Sequence, residues 1–397
     1  MKDRNLIESV DIERLYKHVL NIEGLRHPLD DSEMLDIVGD YLSYEFEEYG
    51  LVTKEHIFQI GDFDQKFRNI EGLVDNGAKK ELIVSAHYDT VSISPGANDN
   101  TSGIAGMLEI ARILANLDLQ YNIRFIGFTL EEGHPQKELQ LRELMETSNL
   151  VDEDLRFTTY HSIKMLELLD VLREDYLVQG KTIKEAWNLA VADISKDLTN
   201  DEKKYIKSLQ KLYEKTSRTN WIGKSICVGS TAWVEANKHQ KQNILGVLNL
   251  EEIGYKSEKN FSQKYPAGID PMRYPNYKVD IENRVGNFVG VFADKFSKEL
   301  AQSFCFQCKH QSIDLPYHSL EVPLDFVEIS QNMLDLLRSD HSPFWREHIP
   351  AISITDTFEF RYPFYHTSAD ISDYLDFDFM KKIVQVTLAT TIALTEF

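Results

Sequence analysis

Short, dense apolar runs alternate with longer stretches of helical periodicity along most of this chain. Leu82 to Ala86, Asn122 to Leu130, Ile244 to Leu250 and Ala351 to Thr355 are such runs. Their length and apolar density suit strands covered on both faces of a mixed or parallel sheet. Between the first two, Ile104, Met107, Leu108, Ala111 and Leu114 recur at helical spacing within Thr101 to Asn116. Strand, helix and strand in that order predict an α/β sandwich. Residues 5–50 predict two helices, the second over Ser32 to Tyr49 with Leu35, Val38, Leu42 and Phe46 on one stripe and Gly50 as its stop. Residues 51–75 alternate like a strand pair, and 375–396 predict a closing helix. The expected architecture is a three-layer α/β sandwich around a mixed, mostly parallel sheet.

Residues 136–220 break this pattern. They hold one glycine and a series of helical periods, Ile163 to Asp175, Thr182 to Lys196 and Asp201 to Lys215. They predict an α-helical insertion of three or four helices, too polar to be the main core. The expected division is a main domain over 1–135 and 223–397 and an insertion over 136–222. Loops around 255–290 and 305–335, with the insertion, are expected to build the substrate pocket.

Composition narrows the function. With 397 residues, 42% of them hydrophobic, a large core is assured. The formal charge of −21 argues against nucleic acid and anionic membrane as partners. Cys227, Cys305 and Cys308 supply no disulfide framework, no signal-peptide core opens the chain, and no apolar run approaches membrane-spanning length. The expected compartment is the cytoplasm.

The chemistry gathers where the strands end. His87-Tyr-Asp89 closes one apolar run, Glu131-Glu132 the second and Glu251 the third, while Asp99 precedes the predicted helix and His366 follows the fourth run. Each alone has a plain reading: a hydrogen-bonded core histidine, a helix cap, a solvated strand end. Together they place imidazoles and carboxylates at one sheet edge, which suits zinc with a spare carboxylate for proton transfer.

The motifs His87-Tyr-Asp89, Gly96-Ala-Asn-Asp-Asn-Thr-Ser-Gly103, Phe128-Thr-Leu-Glu-Glu132, Gly229-Ser230, Leu248 to Tyr255, Ser339-Asp-His-Ser-Pro-Phe-Trp345 and Tyr365-His366 occur in this order. In this the chain resembles the di-zinc aminopeptidases and glutamate carboxypeptidases of peptidase family M28, over roughly 65–135 and 225–395. The resemblance implies that His87, Asp99 and Glu251 hold one zinc and Asp99, Glu132 and His366 a second, with cobalt or manganese as alternatives. Asp99 would bridge the two, Glu131 would act as general base on a water bridging them, and Asp89 would support His87. It also implies a cis peptide between Asp99 and Asn100 and a peptide substrate; the large insertion and acidic surface are compatible with a homo-oligomer. Asp340 and His341 are expected to support or cap rather than ligate. His134 reads as a loop residue, and Cys305-x-x-Cys308 lacks a partner motif for a structural zinc.

The chain departs from the family pattern where Glu132-Gly133-His134-Pro135 leads into the insertion instead of directly into a Gly-Ser helix start. A lid limiting entry to short peptides, a dimerisation arm and a surface decoration are all open. Glu251 stands where many relatives have aspartate. The competing functions are a one-zinc glutaminyl cyclase, a non-catalytic binding protein on the same fold, and a carboxypeptidase using Arg361 for the substrate carboxylate. No Gly-x-Ser-x-Gly elbow supports a nucleophilic serine.

Overall fold

The computed structural model describes residues 2–396 apart from Asp62, Arg218, Ala267 and Gln311. Three helices open it: α1 (Lys2–Glu8), α2 (Ile12–Ile22) and α3 (Ser32–Glu48). The first predicted helix is split in two because Asp11 is extended and caps α2, its carboxylate accepting the Glu13 N–H at 2.9 Å. The antiparallel pair β1 (Val52–Gln59) and β2 (Lys66–Val74) follows, then β3 (Glu81–His87), α4 (Gly103–Leu114) and β4 (Asn122–Phe128). Regular helix starts only at Gly103, since Asp99 and Asn100 leave helical φ/ψ within the preceding turn.

Four helices come next: α5 (Pro135–Glu146), α6 (Tyr160–Val178), α7 (Ile183–Ile194) and α8 (Asn200–Leu212). The rest of the chain forms α9 (Val228–Asn237), β5 (Ile244–Glu251), β6 (Asn276–Tyr277), β7 (Val289–Ala293), α10 (Lys298–Cys308), β8 (Tyr317–Glu321), α11 (Phe326–Asn332), α12 (Ser342–Arg346), β9 (Ala351–Thr355) and α13 (Phe377–Thr395). The stretches expected as loops, 255–290 and 305–335, therefore carry β6, β8 and α11 as well as irregular chain. The sequence hides β8 because it buries the polar His318 and Ser319 beside its apolar positions.

Two compact units divide the chain, one running to Gly133 and resuming at Ile226, the other His134–Ser225. The second has its own core of Leu169, Trp187, Ala190, Ile194, Tyr205 and Ile206. Its α7 and α8 each open with a reciprocal cap, Thr182 with Glu185 and Thr199 with Glu202. In the first unit, the chain is tied to itself where it resumes: the Cys227 N–H donates to Glu131 O and the Val228 N–H to Leu130 O, each at 2.8 Å.

Among the described residues, nine strands form one sheet in the order β1-β2-β4-β3-β5-β9-β7-β8-β6. Its centre, β4-β3-β5-β9, is parallel throughout. Phe125 faces the core shared with α3, α4, α10 and α13. Phe128, on the opposite face by strand alternation, meets Phe344 of α12, which meets Trp233 of α9. Covering both faces explains why these strands read as near-continuous apolar runs, each fully buried large side chain contributing about 1.5–3 kcal/mol. Parallel neighbours also bring their C-terminal ends side by side, so His87, Glu131 and Glu251 reach one edge. β3 leads to β4 on one side, and β5 lies on the other. The crevice outside such a switch in strand order is where open α/β sheets bind ligands. Among the described residues, no helix is long and apolar enough to cross a membrane.

The N-terminal helices are joined by a buried histidine. His18 of α2 stands with Nδ1 2.7 Å from the Tyr41 hydroxyl and Nε2 3.4 Å from that of Tyr49. Burial lowers its imidazole to about 4, against the opposing pull of Glu45. The folded protein thus keeps His18 neutral while the unfolded chain protonates it below its ordinary value. Its stabilising share is complete above that value and is lost as pH falls towards the folded one. The stability gap between wild type and His18→Gln is expected to shrink by about 2 kcal/mol between about pH 7.5 and about pH 5, measured by urea unfolding.

Candidate metal centre

β3 delivers His87 at its last residue, and the chain then turns through Tyr88 to Asp89, all buried. Asp89 does more than follow the histidine. Its two carboxylate oxygens accept the N–H groups of Glu131 and Glu132, each at 3.1 Å, which fixes the backbone past the end of β4. His87 Nδ1 lies 3.2 Å from Asp89 O and 3.6 Å from its carboxylate. Nε2 is left to face the centre.

Asp99 sits in the turn before α4. Asp370 accepts the Asn98 N–H at 2.8 Å and the Asp99 N–H at 3.1 Å. The Asn100 amide donates to Leu250 O and accepts from the Gly103 and Glu252 N–H groups. The Asp99–Asn100 peptide is cis.

Two groups of side chains meet at Asp99. On one side, His87 Nε2 lies 3.2 Å from Asp99 Oδ1 and 3.0 Å from Glu251 Oε1. On the other, His366 Nε2 lies 3.2 Å from Asp99 Oδ2 and 3.1 Å from Glu132 Oε2. Both triplets have ligand atoms close enough to share one cation, and His87, Glu131 and Glu132 form a third such grouping. The donors are imidazole nitrogens and carboxylate oxygens, which zinc accepts. Among the described residues, nothing hydrogen-bonds to the buried Glu132 Oε1 and His366 Nε2. Buried polar atoms are ordinarily satisfied, so the residues fit a bound metal.

The electrostatics are those of crowded acids. Burial, then Glu132, Glu251 and Asp340, raise the Glu131 carboxyl well above its usual range. Burial and Asp99 push Glu132 up to about 7. Burial alone would raise Asp99, but the His366 and His87 imidazoles outweigh it and hold it well below its usual range. Burial likewise opposes protonation of His366, yet Glu132 and Asp99 take it up to about 11.

Several partners stand in or beside these motifs without a role assigned from the sequence. The Ser339 hydroxyl donates to Glu251 Oε2 at 2.6 Å and accepts from Asn249 Nδ2 at 2.7 Å; Asn249 in turn accepts from the Ser85 hydroxyl. The Cys227 thiol donates to Glu131 Oε1 at 3.4 Å. Tyr365 stacks on His366 with ring centroids 3.7 Å apart. Ser339 and Tyr365 lie inside recognisable motifs, and Cys227 stands two residues before Gly229-Ser230; a finer reading of those stretches would have found them.

The other candidates enter none of these groupings. Asp340 is fully buried, and burial raises it to about 8. His341 gives Nε2 to Leu336 O at 2.8 Å and stands edge-on to Trp345. His134 belongs to the other unit and precedes α5. Cys305 and Cys308 are free and buried. Arg361 donates Nε to Gln263 Oε1 and Nη1 to Phe288 O, with its guanidinium 4.5 Å over the Phe288 ring, while among the described residues nothing pairs with its buried Nη2.

Known proteins place this architecture. Aminopeptidase YwaD of Bacillus subtilis is 57% identical over 51 residues, 13% of this chain and only 11% of its own length. The LapA aminopeptidase of Legionella pneumophila superposes with a TM-score of 0.59 at 16% identity, covering 100% of this chain and 75% of that one. A glutaminyl cyclase of Bacteroides thetaiotaomicron superposes at 0.55 and 16% identity, covering 96% and 98%. At such identities the likeness is one of fold. A sequence model of peptidase family M28 matches residues 69–308 and 313–391, most of the chain including every residue of both triplets, and the chain belongs to that family.

Proposed function

We propose that this chain is a two-zinc aminopeptidase that releases residues from the free N-terminus of peptides. The observation that carries the reading is the position of Asp99. Its two oxygens face two different imidazoles, each backed by a further carboxylate. His87, Asp99 and Glu251 would hold one zinc and Asp99, Glu132 and His366 the other. Bound there, zinc supplies Lewis acidity toward the scissile carbonyl and acidifies water.

The remaining work falls to side chains. Glu131 is the proton carrier: it takes a proton from water as the water oxygen bonds to the carbonyl carbon. It returns a proton to the amine nitrogen as the C–N bond breaks. A buried carboxyl beside the reacting atoms suits a group that must both accept and donate a proton. Asp89 holds the Glu131 and Glu132 backbone and orients His87.

Elemental analysis beside hydrolysis of a panel of aminoacyl anilides tests this. Two zinc ions per chain are expected, with activity lost to a chelator, restored by zinc, and absent on N-acetylated peptides. One ion, with ring closure of an N-terminal glutamine and release of ammonia, would replace the reading by a cyclase. No bound metal would replace it by a binding protein.

A further inference from the structure

The Arg26 side chain is the least expected feature of the first unit. It follows α2, outside the residues matched to the family, and is 0% exposed. Among the described residues, its guanidinium touches no carboxylate within ion-pair distance. Instead it donates to five backbone carbonyls: Nε to Tyr88 O at 2.8 Å, Nη1 to Ile22 O, Gly24 O and Pro95 O at 3.0, 2.6 and 2.8 Å, and Nη2 to Gly96 O at 3.1 Å. The backbones are laced together as well. The Arg26 N–H donates to the Thr90 hydroxyl at 3.0 Å, the Thr90 N–H to Arg26 O at 3.3 Å and the Gly24 N–H to Pro95 O at 2.9 Å.

Three of the gripped carbonyls belong to the segment between His87 and Asp99. Gly96 shows how close the grip is. It sits at φ 63, and a Cβ there would stand 2.6 Å from Arg26 Nη2. The opposite polarity is met from the other side, where Asp370 accepts the N–H groups of Asn98 and Asp99 and is itself fixed by the Tyr362 hydroxyl at 2.8 Å. The carbonyls of residues 95 and 96 thus point to a buried cation, and the N–H groups of residues 98 and 99 to a buried anion.

We propose that Arg26 and Asp370 are positioning residues that together set Asp99, so that the segment before β1 belongs to the catalytic machinery rather than only to the core. The inference rests on the metal-site reading above. A bridging carboxylate tolerates little error, because it must satisfy two partners at once. The planar five-donor fork of arginine spans separated carbonyls; the ammonium of lysine, with three donors at one point, does not.

The test compares Arg26→Lys and Asp370→Asn with Val19→Ala, a core change in α2 remote in chemistry from the site. Each protein is stripped of metal. Its melting temperature, its zinc affinity by chelator competition, and then kcat and KM after reloading are read. All three variants are expected to melt lower. Only Arg26→Lys and Asp370→Asn should bind zinc at least about tenfold more weakly and lose kcat by a similar factor at near-constant KM. Wild-type zinc affinity and kcat in both site variants, or an equal loss of affinity in Val19→Ala, would overturn the proposal. If Arg26→Lys fails to fold, Asp370→Asn decides by the same readings. A wild type that binds no zinc would sink the metal-site reading itself, and this inference with it.

Discussion

Glu131→Gln is expected to lower kcat by about 100- to 10,000-fold while bound metal and KM stay near their wild-type values. The substitution keeps shape and hydrogen-bonding capacity but removes the ability to carry a proton. The structure separates Glu131 from its neighbour by environment. Glu132 meets His366 at 3.1 Å, whereas Glu131 is found with the Cys227 thiol at 3.4 Å. Its backbone is held on both sides, its N–H by Asp89 and its carbonyl by the Cys227 N–H. The variant should therefore fold and load like wild type. Stopped assays with elemental analysis on the same samples check this. Loss of metal together with activity would move Glu131 among the ligands.

Asp99→Asn is expected to abolish measurable hydrolysis by emptying both positions, with zinc affinity weakened by about 100-fold or more, beyond the usual cost of losing a residue that merely supports a ligand. An amide at this position keeps one oxygen and turns an N–H₂ donor toward an imidazole. The comparison with single-group variants makes the result diagnostic. Glu251→Ala removes a member of the His87 group only, and His366→Ala a member of the Glu132 group only. Each should retain about one zinc where Asp99→Asn retains neither. Equal losses in all three would mean that the two groups act as one site.

Much of this arrangement is legible in the sequence. β3, β4, β5 and β9 announce themselves because strands buried on both faces are mostly apolar, and His87 and Glu251 stand at strand ends where the sheet edge is open. The convergence of His87, Glu131 and Glu251 follows from parallel pairing alone. Assigning Glu132 rather than Glu131 to a metal did not follow from the residues. Adjacent side chains on a turning chain diverge, and the resemblance, not periodicity, chose between them. β8 was hidden by its buried His318 and Ser319. Arg26 and Asn249 were invisible for a different reason. Their partners are backbone carbonyls or side chains distant in sequence, and such pairings leave no period to detect.

The ties between residues 130–131 and 227–228 have a consequence for how this chain can be altered. They hold the two ends of the His134–Ser225 excursion together from within the main unit. Closing a loop costs conformational entropy that rises only slowly with its length, and here the closure is secured by bonds outside the loop. The excursion can accordingly behave as an exchangeable cassette, lengthened, shortened or replaced during evolution with little penalty to the sheet. It is also the natural place to cut: a circular permutant with new termini inside it would leave every strand, and every residue around Asp99, in an unbroken stretch of chain.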